Sequence, residues 1–159
     1  MEYPLIGYFL VFPICANATA YTMGWDCVDS GKHCDIYINN SSYKSKVWEA
    51  KDKWNEITGG VIRKWNIFRT PDVSVEDICV ANGTLGVTYS SGLMQFNTYY
   101  LEGDYKNCRL ATCLHELGHA LGCAHSTVND VMYRHGGQVN NKTLTKNDKD
   151  SYNTAATRY

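Results

Sequence analysis

The run His115-Glu116-Leu117-Gly118-His119-Ala120-Leu121-Gly122-Cys123-Ala124-His125 restricts the fold of this chain more than any other stretch of it. Leu110, Cys113, Leu114, Leu117 and Leu121 recur on one helical face, which predicts an amphipathic helix from about Arg109 to Leu121 with its apolar side against a core. Residues four apart on a helix stand about 5–6 Å from one another on one face, so His115 and His119 can reach a single ion. Gly122 has no Cβ and can take a positive φ, ending the helix in a left-handed cap and swinging His125 back towards the other two. Three imidazoles with an open fourth position are the ligand set of a catalytic zinc rather than a closed structural one. Glu116, one position from His115, projects beside the metal face, where it can act on a bound water without becoming a ligand. Two surface histidines on a core helix would account for His115 and His119, but that reading leaves Gly122 and His125 without a task.

The rest of the chain supplies a sheet and two further helices. Asp35 to Asn39 alternates as a strand and ends at the turn residues Asn39-Asn40-Ser41-Ser42. Val47, Ala50, Lys51, Trp54 and Ile57 then recur at helical spacing up to the stop at Thr58-Gly59-Gly60. Val61 to Phe68, Val73 to Val80, Leu85 to Tyr89 and Leu93 to Thr98 read as short strands. Past Met132 and the Gly136-Gly137 pair, Thr145 with Asp148 three residues on is a weaker form of the capping box and opens a last helix. The expected class is α+β: a small twisted mixed β-sheet, a first helix, the histidine-bearing helix and a short C-terminal helix.

The histidine pattern followed by Met132, seven residues after His125, resembles the metzincin clan of zinc metallopeptidases, whose Met-turn places a methionine under the metal. Within that clan the chain is most similar to the matrixins. Ser126 follows His125 and Tyr133 follows Met132, as in that group, and Arg134 stands where other branches carry a zinc-binding tyrosine. The resemblance implies a zinc endopeptidase with one catalytic Zn2+ on His115, His119 and His125. It implies Glu116 as the base acting through a zinc-bound water, and structural support from Gly122, Met132, Tyr133 and Asp148. It also implies a protein or peptide substrate added as a strand along Gly86 to Ser91, although that stretch reads equally well as an interior strand. The chain departs from the family in four ways. No cysteine-switch motif surrounds Cys15, so latency by a thiol on zinc is not expected, and no ligand pattern for calcium or a second zinc is visible. Asn147 stands in place of the first of two aspartates, and Arg134 in place of the proline after Met-Tyr.

Residues 1–20 carry an apolar run from Leu5 to Ala16 followed by small-residue sites, which predicts a signal peptide, secretion and a single catalytic domain over 21–159. The n-region has Glu2 and no basic residue, so a buried N-terminal strand is the competing reading. The apolar run is too short to span a bilayer, so no stable membrane insertion is expected after cleavage. Cleavage after Ala20 would leave six cysteines, Cys27, Cys34, Cys79, Cys108, Cys113 and Cys123; an even count in an exported chain favours disulfides, and free buried thiols are the alternative. Lys+Arg total 15 against Asp+Glu 16, which excludes the basic excess of a nucleic-acid binder. Oligomeric state has no signature in the sequence.

His33 and His135 read as surface or hydrogen-bonding histidines, and Trp48 and Trp54 as packing aromatics. Asn39, Asn40, Asn82 and Asn141 match N-x-Ser/Thr, a pattern with meaning only in a glycosylating secretory pathway. Beside the endopeptidase stands a catalytically silent, zinc-stabilised binding or structural module on the same fold, which would have no use for Glu116. Zinc-dependent hydrolysis of a non-peptide bond is a third reading.

Overall fold

The computed structural model describes residues 20–135 and 140–159. The expected leader, apart from Ala20, and the Gly136-Gly137 pair lie outside the described residues. Five strands form one sheet: β1 Cys34–Ile38, β2 Ile62–Lys64, β3 Val73–Ile78, β4 Gly86–Thr88 and β5 Leu93–Asn97, in the order β2-β1-β3-β5-β4. β1 runs parallel to β2 and β3, and β3 parallel to β5; β4 alone is antiparallel and forms one edge. The helices are α1 Lys44–Thr58, α2 Thr98–Leu101, α3 Arg109–Ala120 and α4 Lys146–Ala155. This is the expected mixed α and β architecture, and no described helix is long and apolar enough to cross a membrane.

One core joins sheet and helices. Ile36, Val73, Val75, Met94 and Phe96 from the strands meet Val47, Ala50 and Trp54 of α1 and Leu114 and Leu117 of α3, all essentially buried. Full burial contributes about 1.5–3 kcal/mol for each large aliphatic side chain, so the leucine periodicity of α3 is what seats the helix. The buried Trp54 indole N–H donates to the Leu114 carbonyl at 2.9 Å and ties α1 to α3. α1 stops at Gly59, whose φ of 70° lets its N–H return to the Asn55 carbonyl. α4 opens with a full capping box, Thr145 and Asp148 each bonding the other's backbone.

Three expectations change. The strand expected over Val61 to Phe68 ends at Lys64 because Asn66 starts a turn, its side chain accepting from the Phe68 N–H, and this leaves Ile67 and Phe68 exposed. α2 was not expected; Asn97 caps it by accepting from the Tyr99 N–H. The expected disulfides are absent among the described residues. The six described cysteines are free, and every one except Cys79 is buried. Burial raises the Cys27 thiol to about 11 and the Cys123 thiol to about 12, and holds Cys34 and Cys113 well above the ordinary range, so these thiols stay protonated and pack as small apolar groups.

Candidate active site

α3 presents His115 and His119 on one side, one turn apart. At its end Gly122 takes a φ of 90°, and the chain reverses towards His125. The N-terminal segment holds this reversal: Met23 N–H donates to the Gly122 carbonyl, Ala124 N–H to the Tyr21 carbonyl and Cys27 N–H to the Ala120 carbonyl, at 2.7–2.9 Å. Arg158 completes the clamp through the Met23 and Trp25 carbonyls and the Asp26 carboxylate. The result brings one ring nitrogen of each of His115, His119 and His125 within 4.8 Å of the others. His33 and His135 are not members of this cluster.

The tautomers follow from the partners. His115 Nδ1 lies 2.9 Å from the Val131 carbonyl, and His119 Nδ1 lies 2.9 Å from the Cys123 carbonyl. A carbonyl can only accept, so both rings carry their proton on Nδ1. Burial lowers His115 to about 4, with His125 adding to the effect. Burial and then His115 lower His119 to about 3. Both imidazoles are therefore neutral at pH 7, and their bare Nε2 atoms face one another at 3.0 Å with no proton to share. Two lone pairs opposed in a buried site repel, and a cation between them turns the repulsion into ligation. Two nitrogens bound to one tetrahedral zinc stand roughly 3.3 Å apart, close to the observed separation. His125 is also lowered, by burial and then by the charges of Arg134 and His135. The residues present fit a zinc ion.

Glu116 is buried beside this trio, and its Oε2 accepts from the Thr88 hydroxyl at 2.8 Å. Burial lifts the Glu116 carboxyl to about 7, and the Thr88 bond opposes the rise. β4 passes very close above it: a Cβ on Gly86 would lie 2.9 Å from Glu116 Cγ and 3.0 Å from its Oε1. Below, Met132 is fully buried against α3 at Gly118, where a Cβ would stand 2.2 Å from the methionine sulfur. Asp148 accepts from the N–H groups of Val131 and Met132 at 3.0 and 3.1 Å, fixing the turn whose Val131 carbonyl receives His115. Tyr133 is half-buried, bridged to Ser126 and stacked edge-on against His135. A cleft of about 550 Å³ opens over Glu116 and the three histidines, with Gly86, Thr112 and Arg134 among its lining.

Sequence reasoning missed three residues that organise this region. Thr88 reaches Glu116 across 28 positions of chain. Asp130, buried, gathers Thr127, Thr145 and Asn147, so that Asn147 serves as a donor to it. Buried Asn97 binds Val80, Thr84 and Asn82 and shapes the approach to β4. A signal was present for Asn97 alone, since it precedes a helix start.

Neutral nitrogens converge beside a buried carboxylate, over a cleft with a strand at its rim, an arrangement able to hold a metal ion and to serve a hydrolase. The family profile described as Matrixin matches residues 46–155, most of the chain, and the chain belongs to this family of zinc metallopeptidases. The fold is similar to that of archaemetzincin from Methanopyrus kandleri, with a TM-score of 0.58 and 14% identity over 82% of this chain and 99% of that one. A comparison with curated protein sequences gives no match.

Proposed function

We propose that the chain is an endopeptidase that holds one zinc ion on His115, His119 and His125 and uses Glu116 as its base. The observation that carries this reading is the pair of bare Nε2 atoms opposed at 3.0 Å beside a buried carboxylate. A zinc ion bound there would acidify a water molecule and polarise the carbonyl of the bond to be cut. Thr88 holds Glu116 Oε2 and leaves Oε1 to take the proton of the attacking water. A carboxyl lifted to about 7 can then return that proton to the departing amine. No covalent link between enzyme and substrate is required. Asp148, Met132, Tyr133 and Gly122 act as supports: Asp148 through the Val131 carbonyl that orients His115, Met132 as the floor, Tyr133 through its bridge to Ser126, and Gly122 through the reversal to His125.

Substrate lies extended along β4 in this reading. Leu85, Val87 and Tyr89 bond towards β5, so the alternation of an antiparallel ladder turns the N–H and C=O groups of Gly86 and Thr88 outward, over the cleft. Residues 1–20 act as an export leader and 21–159 as the catalytic domain. The test is hydrolysis of internally quenched peptides and denatured protein by the chain starting at Tyr21, with and without chelator, beside Glu116→Ala. Activity lost on chelation, restored by zinc and absent in Glu116→Ala supports the proposal. A folded, zinc-loaded and inert wild type would replace it with the silent binding module.

A further inference from the structure

The chain has five arginines, and four of them are bound to carboxylates: Arg63 and Arg69 to Asp35, Arg109 to Glu102, and Arg158 to Asp26. The fifth, Arg134, lines the cleft, is exposed, and has no carboxylate partner among the described residues. The backbone that leads into it is fixed. It directly follows Tyr133, which bridges to Ser126, and that turn is held from beneath by Asp148. Arg134 and His125 line the same cleft, together with Glu116.

Among the described residues no carboxylate of the cleft pairs with this cation. Glu116 is the one acidic side chain among its described lining residues, and Thr88 already engages it. Neutral side chains, Tyr100, Tyr105, Thr84 and Thr112, line other parts of the cleft, and the Tyr100 hydroxyl accepts from the Gly83 N–H. His135, also exposed and in the cleft, adds a second group able to donate a hydrogen bond to an anion. A planar guanidinium with its donors unfilled matches a carboxylate better than any neutral group, because it can bind both oxygens at once.

We propose that Arg134 is a specificity residue that selects substrates presenting a carboxylate close to the cleaved bond, from an Asp or Glu side chain or from the substrate's C-terminus. This rests on the endopeptidase reading and adds a preference to it. The two sources share one chemistry and differ in what abolishes them: Glu→Gln in the peptide removes the first, and amidation of the C-terminus the second.

The experiment uses zinc-loaded protein and internally quenched peptides that carry a single Glu or Gln at each position within three residues of the cleaved bond, as free acids and as amides. Wild type is expected to favour the carboxylate member of one pair about fivefold in kcat/KM, the scale of one partly solvated ion pair. The preference should vanish in Arg134→Ala, persist in Arg134→Lys, reverse in Arg134→Glu, and shrink at high salt as the pair is screened. Equal turnover of every pair by wild type, or a preference that survives Arg134→Ala, overturns the proposal and leaves the endopeptidase reading standing. If no peptide is cut, anisotropy of the same peptides on zinc-loaded Glu116→Gln still decides: a carboxylate preference that depends on Arg134 supports the site although the endopeptidase reading has fallen, and no preference overturns it.

Discussion

Among the described residues, two places gather three titratable side chains within 4.8 Å: His115, His119 and His125 at the end of α3, and Asp29, Asp35 and Asp72 at the start of β1. By proximity alone they are equals. They differ in compensation. Asp35 receives Arg63 at 3.0 and 2.8 Å and Arg69 at 3.2 and 3.1 Å, Asp72 accepts the Asp35 N–H at 2.7 Å, and Asp29 accepts the His33 N–H at 2.8 Å. Two guanidinium groups answer Asp35, and backbone N–H groups answer one oxygen each of Asp72 and Asp29, so most of that cluster's charge is met from within the protein. In the histidine cluster every partner lies on the Nδ1 side, and the Nε2 atoms of His115 and His119 point at each other unshared. Clustering marks where charge collects, and missing compensation marks where a ligand belongs.

Metal occupancy is the most direct way to break this contrast. Wild-type protein should carry one zinc per chain by plasma emission spectrometry. His119→Ala should carry none after a desalting step, while Asp72→Asn should still carry one. Zinc retained by His119→Ala but lost from Asp72→Asn would reverse the assignment of the two clusters. Glu116→Gln comes next in size: it should keep its zinc and lose about 10²–10⁴-fold in kcat, the usual worth of a positioned acid-base group. An equal loss of zinc would make Glu116 a support for the site instead.

The histidine site was far more legible than what surrounds it, and the reason is sequence distance. Helical periodicity is local, so the leucines and the pair His115 and His119 announce α3, and Gly59 and the Thr145–Asp148 box announce the limits of α1 and α4. β1 was legible from alternation, and β3 and β5 as short runs bounded by turn residues. The closeness of His125 depends on the strap at residues 21–27 and on Arg158, which bond to one another across more than 130 positions of chain. Thr88 on Glu116 is likewise a product of tertiary packing, invisible to any periodicity. β2 ended early because the Asn66 side chain competes for the backbone, which outweighs the β-propensity of Ile67 and Phe68. The cysteines were misjudged for a different reason: an even count speaks of compartment, whereas burial decides what each thiol does.

A third prediction sharpens the contrast one step out from the metal. Asp148→Asn keeps the shape but replaces one of the two carboxylate oxygens that receive the Val131 and Met132 N–H groups, so the turn beneath His115 loosens. Zinc affinity measured by competition with a chromophoric chelator should fall about 10–100-fold, as when partners of metal ligands are lost elsewhere. Unchanged affinity would confine Asp148 to capping α4.

The smallest effect belongs to the acidic cluster, and its pH dependence separates the two regions. Burial alone would raise the Asp35 carboxyl, but Arg63 and Arg69 outweigh it and hold it below its ordinary value. A depressed carboxyl stabilises the fold at pH values above the unfolded pKa of about 3.9, and that contribution is lost as pH falls through the lower folded value. Asp72 is shifted the other way, by burial and then by its acidic neighbours, and so offsets part of this in the wild type. Asp35→Asn removes only the Asp35 part. It should lower stability by about 1–2 kcal/mol at pH 7, discounted because both arginines are partly solvated. By urea denaturation the gap between wild type and Asp35→Asn should persist at pH 5 and close as pH drops below about 4. Zinc content at pH 7 should be the same in wild type and Asp35→Asn, because the acidic cluster shares no member with the histidine cluster. A gap of constant size down to pH 2.5 would show that Asp35 contributes through shape and packing, and the two clusters would then differ in more than compensation.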